Sequence, residues 1–446
     1  MDLVIRHTLA SRDELVALKT EIQDKYRAII DPTQTAEVAG LAGSLSSTLQ
    51  TYVPDARVVL TWGQGANIEI PMPKAEVRVR EDGHLSPVEN TGHGMQRAFI
   101  LTLLQHLACT IGTHEPEPGA PDNATVPASP NLLLLIEEPE LYQHPSRQRH
   151  FATTLLQLAS GTIPGVATQT QVLYCTHSPL FVGLDRFDQV RLVRKAVVAL
   201  DKPKACTVAS ACLSDIATQL WEANGSQGDP YHEKTLRPRL AAITTPWVNE
   251  GFFADLVVLV EGESDRSAIL TVAKQLGRDF EADGIAVIPC VGKSNLDRPA
   301  IIFRALGIPI YLVWDGDKGK KDPKPKANRT LLRILGDHEV DFPSTVTTAY
   351  ATFEMDLEST LREELGVETY TRITGDVGEQ LGISREKGRK NPFAVRELIE
   401  RAYAEGVRAP TLEAIVTRIA AAKAGSAVSI PAEMTPENLV AAVECS

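Results

Sequence analysis

Two apolar runs that stop on carboxylates constrain this chain more than any other feature. DLVVLVEG (255–262) is apolar up to Glu261, and Gly262, Glu263 and Asp265 follow it. IPIYLVWDGD (308–317) ends in Asp315 and Asp317 with a glycine between them. With GIAVIP (284–289) these runs read as strands covered on both faces, the pattern of a parallel sheet, and the chain between them is long enough for crossover helices. Open parallel sheets bind ligands at the carboxyl ends of their strands. Carboxylates placed there converge, and their repulsion is relieved only if hard cations such as Mg²⁺ or Mn²⁺ fill the space between them. FEMDLE (353–358) adds Asp356 and Glu358 just before a helical pattern. A lone Asp-x-Asp is ordinarily an exposed strand end or helix cap. Two strand-end clusters in one α/β unit point instead to paired divalent ions about 3.5–4 Å apart, an arrangement that breaks phosphodiesters.

Basic residues lie where a phosphate backbone would use them. Lys318, Lys320, Lys321, Lys324, Lys326 and Arg329 form one patch, and Arg385, Lys387, Arg389 and Lys390 form another. The overall balance runs the other way: 45 Lys and Arg against 57 Asp and Glu give a net charge of −12, which excludes a protein that coats nucleic acid by bulk charge but leaves room for a local groove. The six cysteines form no C-x-x-C pair, so neither a disulfide framework nor a zinc knuckle is expected. The N-terminus lacks a signal-peptide layout, and no apolar run reaches about 18 residues. A cytoplasmic protein without membrane spans is the expectation.

The N-terminal half carries a second constellation. Residues 11–31 and 38–52 show helical periodicity, with Ser11 and Glu14 as a capping box and Pro32 as a stop. Runs 57–62, 67–71 and 75–80 alternate as strands, and 114–131 is a Pro-rich surface loop. LLLLIEEPE begins as a buried strand (132–136) and ends in Glu137, which in this setting holds Mg²⁺, and Glu138, which polarises the attacking water. QVLYC (171–175) and VRLV (190–193) read as further buried strands of the same α/β domain, and His177 follows the first of them, within reach of a γ-phosphate. Upstream, ENTGHGMQR opens a long apolar helix with Gly92 and Gly94 at its start, a place suited to an anion. What is missing is a G-x-x-x-x-G-K-[ST] loop. The only Gly-Lys-Ser, Gly292–Ser294, has Val287 where that loop needs its first glycine, so it reads as a decoy.

These pieces resemble known families. Glu-Gly after one strand and Asp-x-Asp after a later one is similar to the Toprim signature. TGHGMQR, LLLLIEEPE and His177, in that order, resemble the signature motif, Walker B strand and switch histidine of ABC-type ATPases of the SMC/RecF kind. Together, from about residue 85 to about 400 and including NEGFFADLVVLVEGESD, the chain resembles the OLD (overcoming lysogenization defect) family of nucleases, which includes the nuclease subunit of Gabija-type anti-phage systems. The fold this implies is α/β: a partial ABC-type ATPase head over 1–200, a helical connector over 201–250, a Toprim core with a Rossmann-like parallel sheet over 251–365, and a helical C-terminal extension over 366–446.

The resemblance implies metal-dependent cleavage or nicking of DNA, with Glu261, Asp265, Asp315, Asp317 and Glu358 as ligands for two Mg²⁺ or Mn²⁺ ions and Asp356 as a weaker one. It also implies a basic residue at the scissile phosphate: Lys390 first, Lys387 second. It further implies regulation by ATP, with Gly92, Gly94, Glu137, Glu138 and His177 at the nucleotide, a homodimer or higher oligomer, and a role in anti-phage defence or DNA repair. The missing phosphate loop implies a split or truncated gene or a partner that supplies the N-terminal lobe; a helicase is another expected partner. The alternative is a non-nucleolytic, ATP-gated DNA-binding or interaction protein. A topoisomerase or primase needs a further domain that the motifs leave no room for.

Overall fold

The computed structural model describes residues 12–30, 36–50, 57–60, 77–81, 83–111, 131–162, 169–196, 203–384 and 390–426. The chain divides into two compact units, Met1–Thr176 and His177–Ser446.

In the first unit, helices Asp13–Ile30 and Ala36–Gln50 match the two periodic stretches. Ser11 and Pro32, their expected cap and stop, lie outside the described residues, as do 67–71 and 114–130. Residues 57–60 have no regular structure, contrary to the strand expected there. The hairpin that does form pairs β1 (Arg78–Glu81) antiparallel with β2 (His84–Pro87) around Gly83. Helix His93–Ile111 follows, then β3 (Asn131–Glu137), helix Pro145–Ala159 and β4 (Gln169–Cys175), which lies parallel to β3. The intervening helix is what permits that parallel pairing. The expectation of fully buried strands needs correction: within β3, Leu134 is buried while Leu133 and Leu135 are exposed. Alternation across the pleat gives this pair one covered face rather than two.

In the second unit, β5 (Leu192–Ala196) and β6 (Ala205–Ala209) form an antiparallel pair. This corrects the reading of 190–193 as a buried strand of a parallel βα series, and Val193 is exposed. Helices Leu213–Ala223 and Glu233–Ala241 lead to the five-stranded sheet. Its order is β10 (Thr345–Val346), β11 (Tyr350–Phe353), β9 (Ile310–Asp315), β7 (Leu256–Val260), β8 (Ile285–Pro289), parallel except for β10. Every residue of β7 is inaccessible, because Leu256, Val258 and Val260 enter one core and Val257 and Leu259 the other. That two-sided burial is the reason the run shows no polar alternation.

From β7 the chain crosses to β8 on one side and then returns to β9 on the other. This reversal leaves a crevice between the carboxyl ends of β7 and β9. Helices Val367–Leu381, Pro392–Ala404 and Pro410–Ser426 share the core on the first face, where Leu412, Ile415, Val416 and Ile419 are inaccessible. No helix among the described residues is long and apolar enough to cross a membrane.

Candidate active site

The crevice is a cleft of about 600 Å³ lined by acidic residues from three segments: Glu261, Glu263 and Asp265; Asp315; and Asp356 and Glu358. Backbone hydrogen bonding brings them together. The Asp315 amide donates to Glu261 Oε1 at 2.9 Å, tying the end of β9 to the end of β7. Phe353 of β11 stands opposite Asp315 in the ladder, so the chain leaving β11 delivers Asp356 and Glu358 to the same edge. The Leu357 amide donates to Asp315 Oδ1 at 3.3 Å.

Several carboxylates already have structural duties. Asp265 Oδ2 accepts from the Gly262 amide at 2.9 Å and closes the first turn of helix Glu263–Gln275. Asp356 caps helix Leu357–Glu364 by accepting from the Ser359 amide at 2.8 Å. Asp317 is buried at the margin of the cleft, one carboxylate oxygen toward Lys293 and the other toward Lys320. It adopts a left-handed φ of 63°, tolerated by an aspartate, and its carboxylate pairs with the buried Lys293 ammonium. Among the described residues, no three acidic, His or Cys side chains close into a ready-made metal cage. Instead, Lys320 Nζ stands among the carboxylates, 2.8 Å from Asp315 Oδ2, 2.8 Å from Asp317 Oδ1 and 3.6 Å from Asp356 Oδ2.

Burial pushes the Glu261 carboxyl up to about 7, helped by repulsion from Asp315. Asp265 is driven to about 8, again by burial first and then by the Asp315 and Glu261 charges. Asp315 is raised by burial as well, against the pull of Lys320. For Asp317 burial acts upward too, but hydrogen bonds from Lys293 and Lys320 outweigh it and hold the carboxyl below its ordinary value. Ionising Glu261, Asp265 and Asp315 together is thus costly, and a cation on that side of the cleft would relieve the cost.

Two residues that the sequence reading had set in other roles belong to this site. Lys293, in the apparent decoy Gly-Lys-Ser, donates to Asp317 and, at 3.0 Å, to Asn328 Oδ1, which also accepts from Trp314 Nε1 at 3.1 Å. A lysine following an apolar strand and a tight turn at the crevice end was the available signal. Lys320 had been grouped with the surface patch. That patch is partly consumed by pairing: Lys318 with Glu354 at 2.5 Å and Arg329 with Asp341, leaving Lys321, Lys324 and Lys326 exposed.

Lys390 also lines the cleft. Asn391 caps helix Pro392–Ala404, and Ser267 Oγ donates to the Pro392 carbonyl at 2.6 Å, anchoring this segment to helix Glu263–Gln275. Lys387 lies outside the described residues.

In the first unit, Gly92 precedes helix His93–Ile111 and Gly94 lies in its first turn. Arg97 of this helix donates to the Glu138 carbonyl at 2.9 Å, joining it to the end of β3. Glu137 is the last residue of β3. Glu138 has a left-handed φ of 45°, and its amide donates to the Cys175 carbonyl at 2.9 Å. Glu140, unremarked in the sequence reading, accepts from Thr176 Oγ1 at 2.8 Å. His177 opens the second unit.

Comparison with known proteins bears on both units. The family described as overcoming lysogenization defect protein-like, TOPRIM domain, matches residues 252–317, and an AAA ATPase domain matches 8–182. The chain is 28% identical over 308 residues to the OLD nuclease of Thermus scotoductus, covering 67% of this chain and 50% of that protein. It is 24% identical over 278 residues to the Old nuclease of Escherichia phage P2, covering 61% of this chain and 41% of that protein. The chain therefore spans half or less of these relatives' lengths. Among solved structures, the C-terminal region of the Burkholderia pseudomallei OLD protein matches at 22% identity over 38% of this chain and 99% of that one, with a TM-score of 0.28. The TOPRIM match contains Glu261, Asp265, Lys293, Asp315 and Asp317; Lys320, Asp356, Glu358 and Lys390 lie beyond it.

Proposed function

Since the chain belongs to the OLD family, we propose that it is a metal-dependent DNA endonuclease or nickase whose chemistry resides in the cleft between β7 and β9. The observation that carries the reading is the gathering of Glu261, Asp265, Asp315, Asp356 and Glu358 on one cleft that Lys390 also lines.

A divalent cation fits the donor set. All the donors are hard carboxylate oxygens, as Mg²⁺ and Mn²⁺ prefer. Burial, and then repulsion from Asp315, makes Glu261 and Asp265 hold protons to about 7 and about 8, a cost that a bound cation would relieve. The Lys320 ammonium already stands where a cation would be attracted. The ions would be held by Glu261, Asp265, Asp315, Asp317 and Glu358, with Asp356 a weaker ligand. When bound, a metal pair supplies charge stabilisation at the phosphorane-like transition state and a nucleophilic water at neutral pH.

The chain's own residues do the rest. Asp315 and Glu261, locked together through a backbone amide, keep the acidic edge rigid. Lys390 meets the phosphate undergoing attack, and Lys321, Lys324 and Lys326 contact the backbone of flanking DNA.

For ATP the fit is incomplete. The sequence's only Gly-Lys-Ser commits its lysine to Asp317 and Asn328, so it does not cradle a phosphate. Glu137, Glu138, Gly92 and Gly94 make up part of a nucleotide site, and the nuclease reading stands without a nucleotide step. The AAA ATPase match over 8–182 supports nucleotide regulation, and the family resemblance supports a role in anti-phage defence or DNA repair.

Supercoiled plasmid incubated with the full chain and Mg²⁺ or Mn²⁺ tests the reading. Wild type is expected to produce nicked or linear DNA and Asp315→Ala to lose at least about 100-fold in rate, more than loss of an outer-shell partner costs. Cleavage undiminished in Asp315→Ala would overturn it.

A further inference from the structure

We propose that Lys320 is a built-in counter-ion of the acidic cleft, a tethered ammonium that sits between Asp315, Asp317 and Asp356 until a divalent cation displaces it, and so sets the protein's metal affinity. The inference rests on the reading of the cleft as a metal site and adds a residue that controls entry to it.

Three observations carry it. The first is position. Nζ lies 2.8 Å from one oxygen each of Asp315 and Asp317 and 3.6 Å from Asp356 Oδ2, so its three donors face three carboxylates on two chain segments. A divalent cation held by Asp315 and Asp317 would draw on the same carboxylate oxygens that Nζ now contacts. The ammonium and the cation therefore compete for them.

The second observation is how the loop aims this lysine. Asp317 and Gly319 both have left-handed backbones, φ 63° and 83°, and the Lys320 amide donates to the Asp317 carbonyl at 3.2 Å. These turns fold the chain back immediately after β9 and return the side chain to the cleft. Its neighbours are spent elsewhere or exposed: Lys318 pairs with Glu354, and Lys321 faces solvent.

The third is charge. One ammonium faces the three carboxylates of Asp315, Asp317 and Asp356 and offsets only part of their charge, whereas a dication offsets more, so exchange runs toward metal once metal is present. The four-carbon stem lets the ammonium leave without moving β9, and it then lies free beside the cleft where DNA phosphates arrive.

The test uses the full-length chain and metal alone. Amine-acetylation footprinting of wild type, read by mass spectrometry with EDTA and then with Mn²⁺, is expected to show Lys320 protected without metal and labelled at least about fivefold faster with it; unchanged or slower labelling overturns the proposal. Calorimetric titration of Mn²⁺ is expected to show about tenfold tighter binding by Lys320→Met and Lys320→Gln, with Lys320→Arg within about threefold of wild type. A Lys320→Met affinity equal to or weaker than wild type overturns the proposal. A Lys320→Met chain that folds only with Mn²⁺ present supports it, because the cleft then has no cation of its own. Failure of the parent reading looks different: wild type binds no Mn²⁺, or Asp315→Asn binds as well as wild type. If Asp315→Asn abolishes binding while Lys320 labelling and affinity stay put, only the role of Lys320 falls.

Discussion

Glu261 and Asp265 are carboxylates in surroundings that resist their charge, and this makes stability depend on pH in a defined direction. Their folded-state values of about 7 and about 8 lie above the ordinary carboxylate range. Between that range and these values the folded chain binds more protons than the unfolded one, so stability falls as pH rises. The thermal midpoint of the metal-free protein is therefore expected to drop between pH 5 and pH 8. Glu261→Gln should flatten the drop and added Mg²⁺ should offset it at pH 8; thermal scans across that window check both. Lys390 has a different expected signature: Lys390→Ala slows plasmid nicking by about 10²-fold or more while Mn²⁺ affinity measured by calorimetry stays unchanged, because the side chain serves the phosphate and not the cation.

At the level of elements, the loop that leaves β9 is built around two constraints. Gly316 packs against backbone: a Cβ there would lie 2.5 Å from the Pro343 carbonyl oxygen and 2.6 Å from those of Phe353 and Glu354. Its amide donates to the Phe353 carbonyl at 2.6 Å. Gly316→Ala is thus expected to push β9 from β11, shifting Asp315 and Asp317 together. A fall in melting temperature accompanied by loss of calorimetric Mn²⁺ binding would show it. The other constraint is the buried Lys293–Asp317 pair, shielded by Asn328 and Trp314. Lys293→Met leaves the buried Asp317 with Lys320 as its remaining partner, so it is expected to destabilise the chain in denaturant unfolding by less than the about 3–5 kcal/mol of a wholly unpaired buried charge. Both constraints explain why Asp-Gly-Asp is more than a ligand motif here. Its glycine and second aspartate hold the loop as well as the site.

For the whole molecule, the division at Thr176/His177 and the self-contained core of the second unit predict that residues 177–446 fold alone, with a single cooperative melt. The C-terminal helices are structural members of that unit. Ile415 is inaccessible within the core shared with β7, so Ile415→Ala is expected to cost about 2–5 kcal/mol in chemical denaturation.

Legibility from residue order followed physical locality. The strands β7, β8 and β9 could be read because two-sided burial leaves unbroken apolar runs, and the acidic candidates Glu261, Asp265, Asp315, Asp317, Asp356 and Glu358 stood out because they sit at strand ends and helix starts, whereas Lys390 came only from the family resemblance. The short strands β10 and β11 were missed, since runs of two and four residues carry too little periodicity. The 190–193 segment was misassigned because a short apolar run does not disclose its pairing partner. The roles of Lys293 and Lys320 were harder to read for a different reason, although the position of Lys293 after an apolar strand was a signal. Their chemistry depends on which carboxylates surround them, and those contacts span 24 positions for Lys293 to Asp317 and 36 for Lys320 to Asp356. A charge pattern along the chain marks lysines as basic; only the folded sheet, by setting β9 beside β7 and β11, makes one a buried strut and the other an occupant of the acidic cleft.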